Sequence, residues 1–299
     1  MLRVKLSLRV LTVESGGKAG GFQNSETMDA ESARRIEQRA YARVGFLGNP
    51  SDAYFGKTIS FSLANFYATV VLEPSPTIRF LPHAVHDPCE FGSLQQMVTC
   101  VAHFSSTIAD NLVYKPKINR AQPEKKYEML EADRIRGEGY YGGVRLLMAA
   151  CKVFFDVFKH AVDGKGNSLH DRGFTLSYDT NIPRQTGLSG SSAIVWAALK
   201  CLLEYFDIPT KQAQVDGLPS LILRVEEELG ITAGLQDRVV QVYGGLVYMD
   251  FDKTSMESQK KGIYTAMDPE LLPPLYLIYC KNPSDSGKAC IQSPVACAV

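Results

Sequence analysis

Ile182-Pro183-Arg184-Gln185-Thr186-Gly187-Leu188-Ser189-Gly190-Ser191-Ser192-Ala193 decides how the rest of the chain is read. Ahead of it, Phe174-Thr175-Leu176-Ser177-Tyr178 alternates apolar and polar residues, the period of a half-buried strand. Behind it, Ala193-Ile194-Val195-Trp196-Ala197-Ala198-Leu199 continues through Leu202, Leu203 and Phe206, and predicts a largely buried helix that ends before Pro209. Strand, small-residue loop and helix N-terminus together make an anion site, because unpaired N–H groups and the positive end of the helix dipole face the loop. Glycines allow close backbone approach, and serine hydroxyls can bond phosphate oxygens or a bound Mg²⁺. A flexible Gly/Ser surface loop is the plainer reading, but such a loop would not run without a break into a buried helix.

At 299 residues the chain is long enough for two domains. Its 45% hydrophobic and 21% charged residues are those of an ordinary soluble protein, and 32 basic against 32 acidic residues point to neither a nucleic-acid nor a membrane-surface partner. No apolar run reaches bilayer-spanning length. The seven cysteines form no CxxC pair and no zinc-type cluster with histidine, as expected of reduced cytoplasmic thiols. Residues 1–30 are expected to be an N-terminal extension without order, with a transit peptide as the alternative for its basic first part. The segments 115–136 and 163–171 are expected to be loops.

Three nucleotide-binding patterns fail on inspection. Gly56-Lys57-Thr58 resembles the end of a P-loop, but the earlier glycine would fall at Ser51. Gly137-Glu138-Gly139-Tyr140-Tyr141-Gly142 fits GxGxxG, yet Glu131-Ala132-Asp133-Arg134-Ile135-Arg136 before it is too charged for a buried strand. His170-Asp171-Arg172 has the wrong order for a protein-kinase catalytic loop.

Two further segments complete a constellation. Ile222-Leu223 and Val225-Glu226-Glu227-Glu228-Leu229 predict a helix with an acidic side that breaks at Gly230 and leads to Ala233-Gly234-Leu235-Gln236-Asp237-Arg238 and a strand, Leu246-Val247-Tyr248-Met249-Asp250. Near the start, Ala42-Arg43-Val44-Gly45-Phe46-Leu47-Gly48-Asn49-Pro50-Ser51-Asp52 predicts a strand running into a tight turn. In this order the three segments resemble the motifs of the GHMP small-molecule kinases, the family of galacto-, homoserine, mevalonate and phosphomevalonate kinases. Within it the resemblance is greatest to the plant-type glucuronokinases, and it runs from Tyr41 to Lys288, including Asn282-Pro283-Ser284-Asp285-Ser286-Gly287-Lys288.

The resemblance implies an α+β fold: a GHMP N-terminal ATP-binding domain of mixed sheet and helices over residues 31–253, then an incomplete ferredoxin-like C-terminal domain over 254–299. It implies transfer of the ATP γ-phosphate to the anomeric hydroxyl of a sugar acid, D-glucuronate, with galacturonate as a neighbouring possibility. Asp237 would accept the hydroxyl proton, and Arg43 would keep it ionised and offset developing charge. Pro183, Gly187, Leu188, Ser189, Gly190, Ser191, Ser192 and Ala193 would hold the ATP phosphates. Ser191 or Ser192 and Glu226 would bind Mg²⁺; the register of the serines is open, since many relatives have Gly-Leu-Gly-Ser-Ser here. Glu227 and Glu228 are expected to be solvated. Galactokinases carry Gly-Glu-His-Thr-Asp where this chain has Asn49 and Pro50 in place of Glu and His, with Asp52 kept, which disfavours galactose. Asp52 and Tyr54 are candidates for the sugar pocket, Arg184 or Arg136 for the carboxylate, and Trp196 is expected in the core.

The family's third, glycine-rich motif has no counterpart, and Ala289-Cys290-Ile291-Gln292-Ser293-Pro294-Val295-Ala296-Cys297-Ala298-Val299 resembles nothing in it, as expected of a frameshifted, alternatively spliced or mispredicted end. Leu275-Tyr276-Leu277-Ile278-Tyr279 is expected to be the first strand of the second domain, left without partners and exposing an edge. The second functional reading is accordingly a non-catalytic or unstable truncated form.

Overall fold

The computed structural model describes residues 3–7, 34–83, 87, 143–158, 172–184, 186–208, 217–231 and 233–280. In chain order they form β1 (Arg3–Ser7), β2 (Ile36–Leu47), β3 (Lys57–Pro74), β4 (Arg79–Phe80), α1 (Val144–Phe158), β5 (Phe174–Thr180), α2 (Gly190–Tyr205), α3 (Leu218–Glu228), α4 (Gln236–Tyr243), β6 (Leu246–Asp250), α5 (Lys253–Gln259), β7 (Ile263–Met267) and β8 (Tyr276–Cys280). Arg136, the segment 115–136, the segment 163–171 and the tail 289–299 lie outside the described residues.

The sheet is organised by β3. Phe66, Ala68, Val70 and Leu72 alternate inward along it, the period-two pattern of a strand with one buried face. β2 runs antiparallel along one edge of β3 from Ile36↔Leu72 to Leu47↔Ile59. The other edge is shared: β5 pairs with the half from Ala68 to Pro74, and β6 with the half from Lys57 to Phe61. β4 adds to β5 in parallel and β7 to β6 antiparallel, so the sheet is mixed, as expected. Between the β5 and β6 pairings, β3 is bridged by side chains and loops: Tyr67 N–H donates to Asn181 Oδ1 at 2.7 Å, and Ser62 N–H to the Gly245 carbonyl at 2.9 Å.

One layer of helices covers this sheet. α2 lies against β2 and β3 and is flanked by α1 and α3. It is apolar on nearly every side because it is enclosed on nearly every side, with Val195, Ala197, Ala198 and Leu199 fully buried. Each such Val or Leu contributes about 1.5–3 kcal/mol of apolar burial. Trp196 is 8% exposed and belongs to this core, as the sequence predicted. α3 opens with Pro219 in its first turn and stops at Gly230, whose φ of +70° ends the helix. α2 begins at Gly190, three residues before the apolar run suggests, and the segment after Gly230 does not turn helical until Gln236.

Two segments differ from expectation. β8, expected without partners, is paired antiparallel with β1 from Arg3↔Cys280 to Ser7↔Tyr276. The pairing satisfies ladder groups that a lone strand would leave open, and it places a strand within residues 1–30, where an extension without order was expected. The main sheet also continues past residue 253, because β7 pairs with β6 from Leu246↔Met267 to Asp250↔Ile263. Among the described residues no helix is long and apolar enough to cross a membrane.

Candidate active site

The chain leaves β5 at Thr180 and reaches α2 through a loop that is bent by two left-handed residues, Gly187 (φ +73°) and Ser189 (φ +59°). For serine this conformation costs about 1–2 kcal/mol. The offset is visible: Ser189 Oγ donates to Asp237 Oδ2 at 2.6 Å. That hydroxyl makes no side-chain cap bond to α2, so the first turn of the helix keeps N–H groups for an incoming anion.

Asp237 stands in the first turn of α4, 19% exposed. Its Oδ1 accepts from Arg43 Nε at 2.6 Å and pairs with Arg43 Nη2. Arg43, on β2 and 11% exposed, also donates Nη1 to the Gly187 carbonyl at 2.9 Å. One arginine therefore ties the expected base to the expected phosphate loop. The backbone joins in, as Gln241 Nε2 donates to the carbonyls of Ser189 at 3.0 Å and Tyr41 at 3.1 Å.

The two serines after Gly190 separate cleanly. Ser191 Oγ donates to Glu226 Oε1 at 2.7 Å, whereas Ser192 is fully buried and bonds back to the Ser189 carbonyl at 3.2 Å. Glu226 is itself fully buried at the end of α3, and its second oxygen is paired with Arg238. Arg238 Nη1 reaches the Gly234 carbonyl at 2.9 Å and lies 3.3 Å from Asp237 Oδ2. Burial pulls the Arg238 guanidinium below its ordinary value, with the nearby Arg43 charge adding to the effect. A chain of opposite charges thus runs from Ser191 and Glu226 through Arg238 and Asp237 to Arg43. Glu227 is exposed, and Glu228 pairs with Lys152 on α1.

Among the described residues no three His, Cys, Asp or Glu side chains cluster as a metal cage. Ser191 and Glu226 nonetheless present two hard oxygen donors beside the loop, which fits Mg²⁺, an ion that takes one or two protein oxygens and completes its shell with water and phosphate.

Asp52 comes from the 3₁₀ turn Ser51–Tyr54 that follows β2, and its Oδ2 accepts from Gln236 N–H at 3.2 Å, at the start of α4. Burial raises its carboxyl above the ordinary carboxylate range, and the Asp237 charge adds to this. Gly234 is there for space: a Cβ on it would lie 2.0 Å from Asp52 Oδ2. Tyr54 is 60% exposed on the same turn.

On the other side of the phosphate loop lies a cleft of about 290 Å³. Gly187, Ser189, Gly190 and Ser191 line one part of it, and Arg145, Tyr178 and Arg184 another. Arg184, a candidate for the sugar carboxylate, is thus grouped with Arg145 beside the loop. Asp87 shapes this end: its carboxylate accepts from His83 N–H at 2.9 Å, Tyr178 OH at 2.8 Å, Val144 N–H at 3.2 Å and Gly143 N–H. Burial, then the bond to Asp87, pushes the Tyr178 hydroxyl up.

Sequence reasoning missed Arg238, Gln241, Arg145 and Asp87. Arg238 was visible beside Asp237, but its partner Glu226 is reached only across the turn between α3 and α4. Arg145 gives no sequence signal beyond one cation at the start of an amphipathic helix.

The strand, the loop bent at Gly187 and Ser189 and the start of α2 are thus joined to Asp237 through Arg43 and Ser189. Residues 145–245 match the family model of the GHMP kinases N terminal domain. Over 254 residues the chain is 54% identical to probable glucuronokinase 2 of Arabidopsis thaliana, covering 85% of this chain and 59% of that protein. It is 50% identical over 260 residues to glucuronokinase 1 of the same plant, covering 87% and 61% respectively. The chain is therefore glucuronokinase-like in sequence over most of its length, and it spans about three-fifths of the length of these curated relatives. A solved D-glycero-D-manno-heptose 1-phosphate kinase from Bacteriodes thetaiotaomicron is 17% identical with a TM-score of 0.48, over 78% of this chain and 60% of that one.

Proposed function

We propose that the protein transfers the γ-phosphate of ATP to the anomeric hydroxyl of D-glucuronate, giving glucuronate 1-phosphate and ADP in the cytoplasm. The observation that carries this reading is Asp237 held by Arg43 and Ser189 directly over the loop that opens α2. Asp237 takes the proton of the sugar hydroxyl, whose oxygen forms the new bond to the γ-phosphorus as the bond to the bridging β,γ-oxygen breaks. Arg43, hydrogen-bonded to Asp237, offsets charge on the transferring group. The first-turn N–H groups of α2, with the backbone of Gly187 to Ser191, position the phosphates. Ser191 and Glu226 are the side chains that would hold Mg²⁺, which when bound neutralises phosphate charge; Ser192, turned inward, would not. Asp52 receives a sugar hydroxyl beside Asp237, with Tyr54 at the rim. The acceptor is assigned from the two relatives, each named a glucuronokinase.

The test is sugar-dependent ADP release by the purified chain with Mg²⁺ and ATP, comparing D-glucuronate, D-galacturonate and D-galactose. Turnover with glucuronate well above the other two supports the proposal. Turnover with galacturonate alone refutes the acceptor, and none from folded chain refutes the activity. Asp237→Asn is expected to lower kcat by about 100-fold or more, the usual contribution of a positioned base; unchanged turnover would show that the base lies elsewhere.

A further inference from the structure

We propose that Arg145 and Arg184 form a second anion subsite in the cleft beside the phosphate loop, one that takes the phosphates of the nucleotide that are not transferred. This rests on the kinase reading above and names the part of the nucleotide held by this end of the cleft.

Arg145 is the second residue of α1 and Arg184 follows β5, so two separate elements bring the guanidinium groups to one cleft. Neither has an acidic partner among the described residues, although most other arginines here are engaged: Arg34, Arg35, Arg39, Arg43 and Arg238 all pair with Glu or Asp. The buried acid Asp87, at the start of α1, already accepts from three backbone N–H groups and the Tyr178 hydroxyl. It fixes the start of α1, and with it Arg145, without pairing with that charge, which has no acidic partner among the described residues. Burial lowers Arg145 from its ordinary value, and repulsion from Arg184 lowers it further. Two like charges turned to a shared space call for an anion between them.

The shape of the cleft says which anion. Its lining is continuous from Arg145 and Arg184 to Gly187, Gly190 and Ser191. A single phosphate or carboxylate would be satisfied at one end. A polyphosphate spans both, with its reacting end on the loop under Asp237 and the remaining phosphates toward the arginines. Leu146, Ile182 and Ile194 add an apolar wall of the kind a nucleoside needs. Arg184 on this side of the loop serves the nucleotide, and the sugar carboxylate is bound by another group.

Calorimetric binding of ADP, AMP and adenosine to the parent chain, Arg184→Gln, Arg145→Gln and the double variant tests this, with KM for D-glucuronate measured alongside. Each substitution is expected to weaken ADP about tenfold or more, as loss of a charge-assisted bond does. Adenosine affinity and the KM for glucuronate should stay within twofold. Because Arg184 is exposed, its variant keeps the test valid if Arg145→Gln misfolds. ADP affinity unchanged in both single variants overturns the subsite. A rise in KM for glucuronate with ADP binding intact also overturns it and gives the arginines to the carboxylate. If the parent chain itself binds no ADP, the kinase reading fails and this inference with it, which separates the two failures.

Discussion

Arg238→Met should be among the most damaging single substitutions in the described structure. The Arg238 side chain is 4% exposed and Glu226 is 0% exposed, so removing the guanidinium leaves a carboxylate in the interior with no counter-charge among the described residues. Breaking one partner of a buried pair costs about 3–5 kcal/mol. The Gly234 carbonyl loses its donor as well, which adds about 1 kcal/mol. Against the roughly 5–15 kcal/mol that holds a domain together, this is a large fraction. At about 2–4 °C per kcal/mol for a chain of this size, the thermal midpoint should fall by about 8–24 °C. Denaturant and thermal unfolding of the parent chain, Arg238→Met, Glu226→Gln and the double variant would measure it. The double variant removes both charges and should recover about 2 kcal/mol of the single Arg238→Met loss. A single variant within about 1 kcal/mol of the parent, or a double variant as unstable as the sum of the singles, would refute the argument that Glu226 depends on the Arg238 charge.

Other consequences follow from the same geometry. The raised carboxyl of Asp52 means that the folded state holds its proton to higher pH than the unfolded state does. Its contribution is most favourable below the unfolded value of about 4 and is lost as pH rises through the folded value, so Asp52→Asn should flatten the fall in stability above pH 4, seen in unfolding midpoints across pH 4–7. Gly234→Ala puts a methyl carbon 2.0 Å from Asp52 Oδ2 and forces that side chain to move, so the KM for the sugar should rise about tenfold while ADP binding is retained; equal KM values would mean that Asp52 does not meet the sugar. Burial pushes the thiols of Cys151 and Cys201 up to about 12, and both should resist alkylation at pH 8 until the chain unfolds, as peptide mass mapping would report.

Local pattern carried a good deal of this protein. The alternation before Ile182 and the apolar run after Gly190 predict β5 and α2 because a strand and an enclosed helix each impose a period on their own residues. Gly230 marks the end of α3 for the same local reason, a backbone conformation that glycine adopts without strain. The association of Arg43, Ser189 and Asp237 was legible only through resemblance to a family, since 194 residues separate Arg43 from Asp237. Tertiary structure decided the rest. Ser191 rather than Ser192 meets Glu226 because the left-handed turn at Ser189 sets the phase with which α2 begins. Arg238 becomes the counter-charge of Glu226, and Arg145 the neighbour of Arg184, by juxtapositions that no spacing along the chain encodes. β8 finds β1 nearly the whole chain away. Periodicity records which face of an element is buried; what that face meets depends on how the elements pack, and charge pairs and strand edges are settled only there.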